Sequence, residues 1–387
     1  MAFSNFSESK TTDKNGKSIP SNPTTLFANV SSLQDMIIDK LLEEKGKGTL
    51  QGLLTYIVRD KGISDVARDV MLNHCRPRFV KHLCNLVVKD KKAETKAMLE
   101  VYPDLMFVEN EERVQDHVKR IIPRGLSAYR IAWGAGADTM LKIMDSLIDK
   151  IPRGRELASA QYKEQFPEAV SESKQDTPQV SETNSENRTT DQSTPKSTGN
   201  KPFNFDALVA AITADEFKEE KPNAKTNEEL QKFRDYFNPE GKVFASGNHF
   251  DKEAFKKALE IYRQNFDPWN WKQCNLFCRQ VIGYFERILP ACDFLAVCKA
   301  GGLISVVDRK EAVPDGDISL NFGSYGELGF DCFVDMYGLA LGGRVRCGTV
   351  CRVGRMGGVD LANYLEIKNQ SLETLSSGCR VQLRLGA

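Results

Sequence analysis

The sequence predicts a multidomain protein, with an all-helical N-terminal domain and an α+β C-terminal domain carrying an antiparallel sheet. Three observations lead there. Apolar residues recur at helical spacing from Thr25 to about Pro152, a polar stretch with almost no apolar content follows from Tyr162, and the spacing after Gly301-Gly302 changes from helix-like to strand-like. A chain of 387 residues also exceeds what one core usually serves.

The expected boundaries are a disordered 1–24, a helical domain over 25–161, a linker over 162–201 and the second domain over 202–387. In the first domain, Leu33, Met36, Ile37 and Leu41 keep a helical period, as do Leu50, Leu53, Leu54 and Ile57. Ser64 is placed to cap a helix carrying Val66, Ala67, Val70 and Met71, and Pro77 is expected to part that helix from the next. A hairpin-like excursion is expected around Val108–Ile122. The linker is rich in Ser, Thr, Glu, Gln, Asn, Asp and Pro, and buries too little to offset the entropy of ordering.

The second domain opens with expected helices over Phe205–Ile212, Asn227–Phe237, Asp251–Gln264 and Trp271–Leu289, the last stopped by Pro290. A shorter helix through Phe294, Leu295 and Cys298 ends at Gly301-Gly302. Strands are expected over Leu303–Asp308, Asp317–Phe322, Phe330–Met336, Gly343–Val353 and Cys379–Leu385.

Charge and cysteine usage narrow the function. Lys plus Arg equals Asp plus Glu at 53 each, so no global field draws the chain to nucleic acid or an anionic membrane. Met1–Pro23 has no apolar segment of the secretory kind, and no apolar run approaches the roughly 18 residues a membrane span requires. The ten cysteines contain no Cys-x-x-Cys pair and read as reduced thiols of a cytoplasmic protein.

Phe79, Val80, Leu83, Cys84 and Val87 line one short helix, and Ala93, Ala97, Met98 and Val101 a second, joined by the charged turn Lys89-Asp90-Lys91-Lys92. The theme returns in Gly125-Leu126-Ser127-Ala128-Tyr129-Arg130-Ile131-Ala132-Trp133, followed by Gly134-Ala135-Gly136 and Met140-Leu141-Lys142-Ile143-Met144. This pair of segments resembles ankyrin repeats, in which a Thr-Pro-Leu-His turn opens a helix and a glycine closes it. Here the tetrapeptide is Ser127-Ala128-Tyr129-Arg130, Trp133 stands where ankyrins keep a small residue, and the spacing exceeds the usual period of about 33 residues. The resemblance implies a protein partner, with Tyr129 and Arg130 beside its groove.

Trp269-Asn270-Trp271-Lys272-Gln273-Cys274-Asn275-Leu276-Phe277-Cys278, continuing to Pro290-Ala291, is similar to a segment of uncharacterised ankyrin-like proteins that intracellular bacteria deliver by type IV secretion. That resemblance implies an effector delivered into the host-cell cytosol. Leu385 supplies the hydrophobic residue such signals favour near the C-terminus. The acidic cluster often found there is missing, since only Glu373 lies close.

Chemistry-bearing residues are sparse. Four histidines stand at 74, 82, 117 and 249, and His249, beside Asp251, is the candidate base in an enzyme reading, working with a Cys292 or Cys332 nucleophile or with an Asp. Cys274 and Cys278 fall on an apolar stripe with Trp271, Phe277, Val281, Ile282, Phe285 and Leu289, which is a core pattern. Cys347 and Cys351 lack further ligands for zinc, so the sequence calls for neither a metal nor a cofactor. Asp315-Gly316-Asp317 reads as a turn. Between Gly342 and Gly358, Arg344, Arg346, Arg352 and Arg355 alternate with small and apolar residues, a set suited to a phosphate or phosphoinositide ligand. No aromatic residue interleaves them, which argues against single-stranded nucleic acid. The leading expectation is a protein–protein interaction module, with the enzyme and the phosphate binder as alternatives.

Overall fold

The computed structural model describes residues 35–167, 202–217, 222–297 and 355–385. It is mostly helical, with one two-stranded antiparallel sheet among the described residues. The chain divides into two compact units, Met1–Arg76 and Pro77–Ala387.

In the first unit, α1 covers 35–44 and α2 covers Leu50–Arg59. Thr49 caps α2 by accepting from Gly52 N, and Leu53, Leu54 and Ile57 bury the apolar face read from the sequence. Ser64 starts α3 (Asp65–Val88) as expected, accepting from Ala67 N at 3.3 Å. Arg68 donates to the carbonyls of Ile57, Asp60 and Ile63, so one guanidinium fastens the whole α2–α3 turn. Pro77 lies inside α3 and does not separate two helices. Proline removes one amide donor and its ring crowds the carbonyl four residues back, yet the helical turns on either side continue α3 through it.

In the second unit, Phe79, Val80, Leu83, Cys84 and Val87 are all buried. Asp90 turns the chain with a positive φ of 55° into α4 (Lys92–Val101), and a 3₁₀ turn spans Pro103–Phe107. The expected hairpin is present as β1 (Val114–Gln115) paired with β2 (Ile121–Ile122). Ser127 caps α5 (Ala128–Ala135) by accepting from Arg130 N, and Gly136 ends it in the left-handed conformation, φ 63°. Then follow α6 (Asp138–Ile148) and α7 (Gly154–Gln165), so residues 162–165, expected in the linker, complete a helix.

The next helices are α8 (Phe205–Thr213), α9 (Ala224–Phe237) and α10 (Lys252–Asn265), each started by a side-chain cap: Asn204, Asn223 and Asp251. The long helix expected from Trp271 is a continuous helical run in three parts. These are α11 (Trp271–Phe277), a π-helical turn over Cys278–Ile282 and α12 (Gly283–Arg287). Its stripe from Cys274 to Leu289 is buried, whereas Trp271 is 74% exposed; Trp269 is the buried indole, donating to Thr213 Oγ1 at 2.8 Å. With α13 (Ala291–Val297), these helices close on an aromatic core in which Phe233, Phe237, Phe255 and Phe285 make edge and tilted ring contacts.

The last described element is α14 (Arg355–Leu385). Cys379–Leu385, expected as a strand, is its final part. Alternation of Cys379, Val381, Leu383 and Leu385 with polar residues satisfies a strand period, but these residues extend a helix already nucleated upstream, where each added residue costs little. The other expected strands lie outside the described residues.

Helix α14 packs along α7, α10 and α6. The segments on either side of 168–201 share one compact unit, tied by long-range contacts that no local composition reveals. Tyr129 Oη meets Cys379 Sγ at 3.5 Å, and Ser159 Oγ donates to the Cys379 carbonyl at 2.9 Å.

Candidate functional site

The loop between α9 and α10 builds the site. Its Phe244 N donates to the Ile121 carbonyl, Gly247 N to the Gln165 carbonyl and His249 N to the Gly134 carbonyl. The Gln165 amide returns a bond to the Gly247 carbonyl at 2.7 Å. Three elements thus hold one loop, and the loop holds His249 against α5.

The imidazole rests on Gly134. A Cβ at that position would stand 2.2 Å from His249 Nε2, so only glycine lets the ring in. Two residues on, Gly136 plays the same part for Lys252, whose Nζ lies 2.7 Å from where a Cβ would be. In the sequence these glycines read as a helix stop. They also make the seat for two cleft side chains.

Beside them opens a cleft of about 700 Å³, lined by Arg120, Lys252, His249, Trp133, Tyr162 and Phe244, with Leu372 and Ser376 of α14 forming part of the wall. Arg120 is 2% exposed and pairs through Nη1 with Asp116 Oδ2 at 2.7 Å. Its Nε and Nη2 find no acceptor among the described residues, and neither does His249 Nε2 find a partner. Burial draws the Arg120 guanidinium below its ordinary value, while Asp116 opposes that shift. Burial, with the Arg120 charge, lowers His249 to about 3, so its ring is neutral at physiological pH.

Behind the cleft lies a buried polar knot. Lys368, 1% exposed, is ion-paired with Asp293, which is fully buried; Tyr364 Oη donates to Asp293 Oδ1 at 2.9 Å, and Lys368 Nζ reaches Cys292 Sγ at 3.4 Å. Burial pushes the Cys292 thiol up to about 12. Burial works against the Lys368 charge, but Asp293, Cys292 and Asp138 together raise it above the ordinary lysine value. Ser371, on the same helix, donates to Asp138 at 2.8 Å.

The residues singled out from sequence fall as follows. His249 and Cys292 both line a small internal void of about 10 Å³, too small for a substrate. Tyr129 is buried beneath α14 against Phe107 and Trp133. Arg130 is occupied by Glu164 and the carbonyls of Gly125 and Ala245. Arg355 opens α14, so its backbone is helical and not part of a strand. Cys332, Arg344, Arg346 and Arg352 lie outside the described residues. Cys274 donates to the Phe266 carbonyl as a core thiol, while Cys278 is disulfide-bonded, against the expectation of reduced thiols. Arg120, Lys252, Asp293 and Lys368 were not anticipated, being isolated charges in no motif.

No protein-family model matches the chain, and no solved structure matches it. The chain is similar to an uncharacterised protein of Coxiella burnetii (strain RSA 493 / Nine Mile phase I), with 30% identity over 148 residues. The match covers 38% of this chain and spans 39% of the relative's length, about two-fifths of each. No described helix is long and apolar enough to cross a membrane.

Proposed function

We propose that the protein binds a small carboxylate with an aromatic or apolar body in the cleft beside His249. The observation that carries this reading is the unmatched Nε/Nη2 edge of Arg120. That edge is the side-on fork of the guanidinium, whose two parallel donors fit a carboxylate. Leaving buried donors without acceptors costs about 1–3 kcal/mol each, and a bound carboxylate removes that cost. Phe244, whose ring centroid is 6.0 Å from Arg120 Cζ, and the Trp133 and Tyr162 rings supply the apolar walls. Recognition is favoured over thiol catalysis, because a Cys292 thiol at about 12 is inert and a His249 ring at about 3 is a weak base.

Benzoate and phenylacetate titrated calorimetrically into the full chain test it. Arg120→Gln should weaken binding by about 10–100-fold, the worth of a charge-assisted fork, and Arg120→Lys should recover little of that loss. Equal binding by Arg120→Gln that still melts like the parent, or no binding by the parent, would refute the proposal.

A second reading concerns the two helical pairs. Their support as ankyrin-like hairpins is the Ser127 cap, the left-handed Gly136, the α5–α6 and α4–α6 packing and the hairpin between the pairs. Under that reading the chain binds a protein partner in a host cytosol, a context supported by the likeness to the Coxiella protein. Retention of one saturable protein from eukaryotic lysate by the full chain supports it; delivery of a C-terminally intact reporter fusion tests the host context.

A further inference from the structure

Lys252 is the first residue of α10, and its Nζ rests against Gly136 at the end of α5, with Leu372 of α14 close by. It lines the cleft with Arg120 and His249. The seat of its amine, Gly136, is two residues from Gly134, the seat of the His249 ring. Among the described residues no carboxylate forms an ion pair with Lys252, although acidic Asp251, Glu253 and Glu373 also line the cleft. Each is directed otherwise or exposed: Asp251 caps α10 by accepting from Ala254 N, and Glu253 pairs with Lys256. An amine in no ion pair, seated in a cleft against one side-chain-free helix end and Leu372, is an arrangement in which lysine becomes a nucleophile.

We infer that Lys252 is a reactive amine that captures carbonyl-bearing carboxylates as an imine, a conclusion that rests on the carboxylate-binding reading of the same cleft. The neutral amine adds through its lone pair to the carbonyl carbon while the C=O π pair moves to oxygen, and a proton passes from nitrogen to that oxygen. The resulting carbinolamine then expels its hydroxyl, with one further proton, as water as C=N forms. One amine and one carbonyl give one imine and one water, and no oxidant or reductant enters. Burial, followed by the nearby Lys368 charge, lowers Lys252 to about 8, while Asp293, Cys292 and Asp138 pull the other way. A useful fraction of neutral amine is therefore present near neutral pH.

The experiment incubates the full chain with 4-formylbenzoate and cyanoborohydride, which reduces the imine to a stable secondary amine, and maps the adduct by peptide mass spectrometry. Lys252 should be marked about tenfold or more faster than other lysines. Excess benzoate should protect it, Lys252→Arg should abolish that mark, and Arg120→Gln should slow it. Even marking of surface lysines, with benzoate still binding the parent, overturns the inference and leaves the carboxylate reading intact. Equal marking of Lys252 by benzaldehyde keeps the reactive amine but refutes Arg120 as the carboxylate anchor. Absence of both benzoate binding and the Lys252 adduct overturns both.

Discussion

Replacing Lys368 by Met leaves a carboxylate at Asp293 with no counter-ion in a place no solvent reaches. Asp293 is fully buried, and of its two oxygens only Oδ1 has described partners, the Lys368 ammonium and the Tyr364 hydroxyl. Breaking a buried pair from one side costs about 3–5 kcal/mol, because desolvation of the surviving charge is no longer offset. At a urea slope of about 2–3 kcal/mol/M this lowers the unfolding midpoint by about 1–2 M. Intrinsic fluorescence is a suitable probe, since all three tryptophans, Trp133, Trp269 and Trp271, lie in the unit that contains the pair. The double variant Lys368→Met with Asp293→Leu removes both charges and should fall within about 2 kcal/mol of the parent, because a buried ion pair contributes little beyond its apolar replacement. A cost below about 1 kcal/mol for Lys368→Met, or a double variant no better than the single one, would refute the pairing as described.

Two further changes follow from buried groups. Glu286 is raised to about 8, by burial against the opposing charge of Arg287. The folded state then holds a proton that the unfolded chain releases near its ordinary value of 4.5, so stability declines as pH rises from there to about 8. Glu286→Gln should raise stability by about 2–4 kcal/mol at pH 7.5 and scarcely at pH 4.5, read from urea midpoints at the two pH values; an equal effect at both would contradict this. Gly134→Ala gains about 1 kcal/mol of helix propensity but drives a methyl into the His249 ring, for a net loss of about 1–3 kcal/mol. Pairing it with His249→Ala should cost less than the two losses summed in thermal melts, and strict additivity would show that the ring is not the obstacle.

The sequence made the helices legible where one face is apolar and a cap begins the run. Leu53, Leu54 and Ile57 behind Thr49, and the stripe from Cys274 to Leu289, are of that kind. It misled where two periods fit the same residues, as in Cys379–Leu385, and where a single proline had to be weighed against a ladder on both sides, as at Pro77. Of the cleft, only His249 and Asp251 are legible, and Cys292 in the knot behind it, through their residue types. Arg120 follows Lys119 in a hairpin that reads as a solvated turn, and nothing local says that its guanidinium is enclosed. Lys252 and Lys368 gain their character from residues more than a hundred positions and 75 positions away, respectively, such as Gly136 and Asp293, a relation that periodicity does not encode.

Helix α14 is also a statement about timing. Its Tyr364 and Lys368 answer Asp293, its Ser371 answers Asp138, and its Cys379 meets Tyr129 and Ser159. On the ribosome, α5, α6 and α7 emerge long before those partners exist, with buried-to-be polar groups still facing water. Native packing of this unit must therefore wait until translation has passed Cys379 and the helix has cleared the exit tunnel. A nascent chain stalled before Cys379 would display Asp293 and the Tyr129 ring to chaperones.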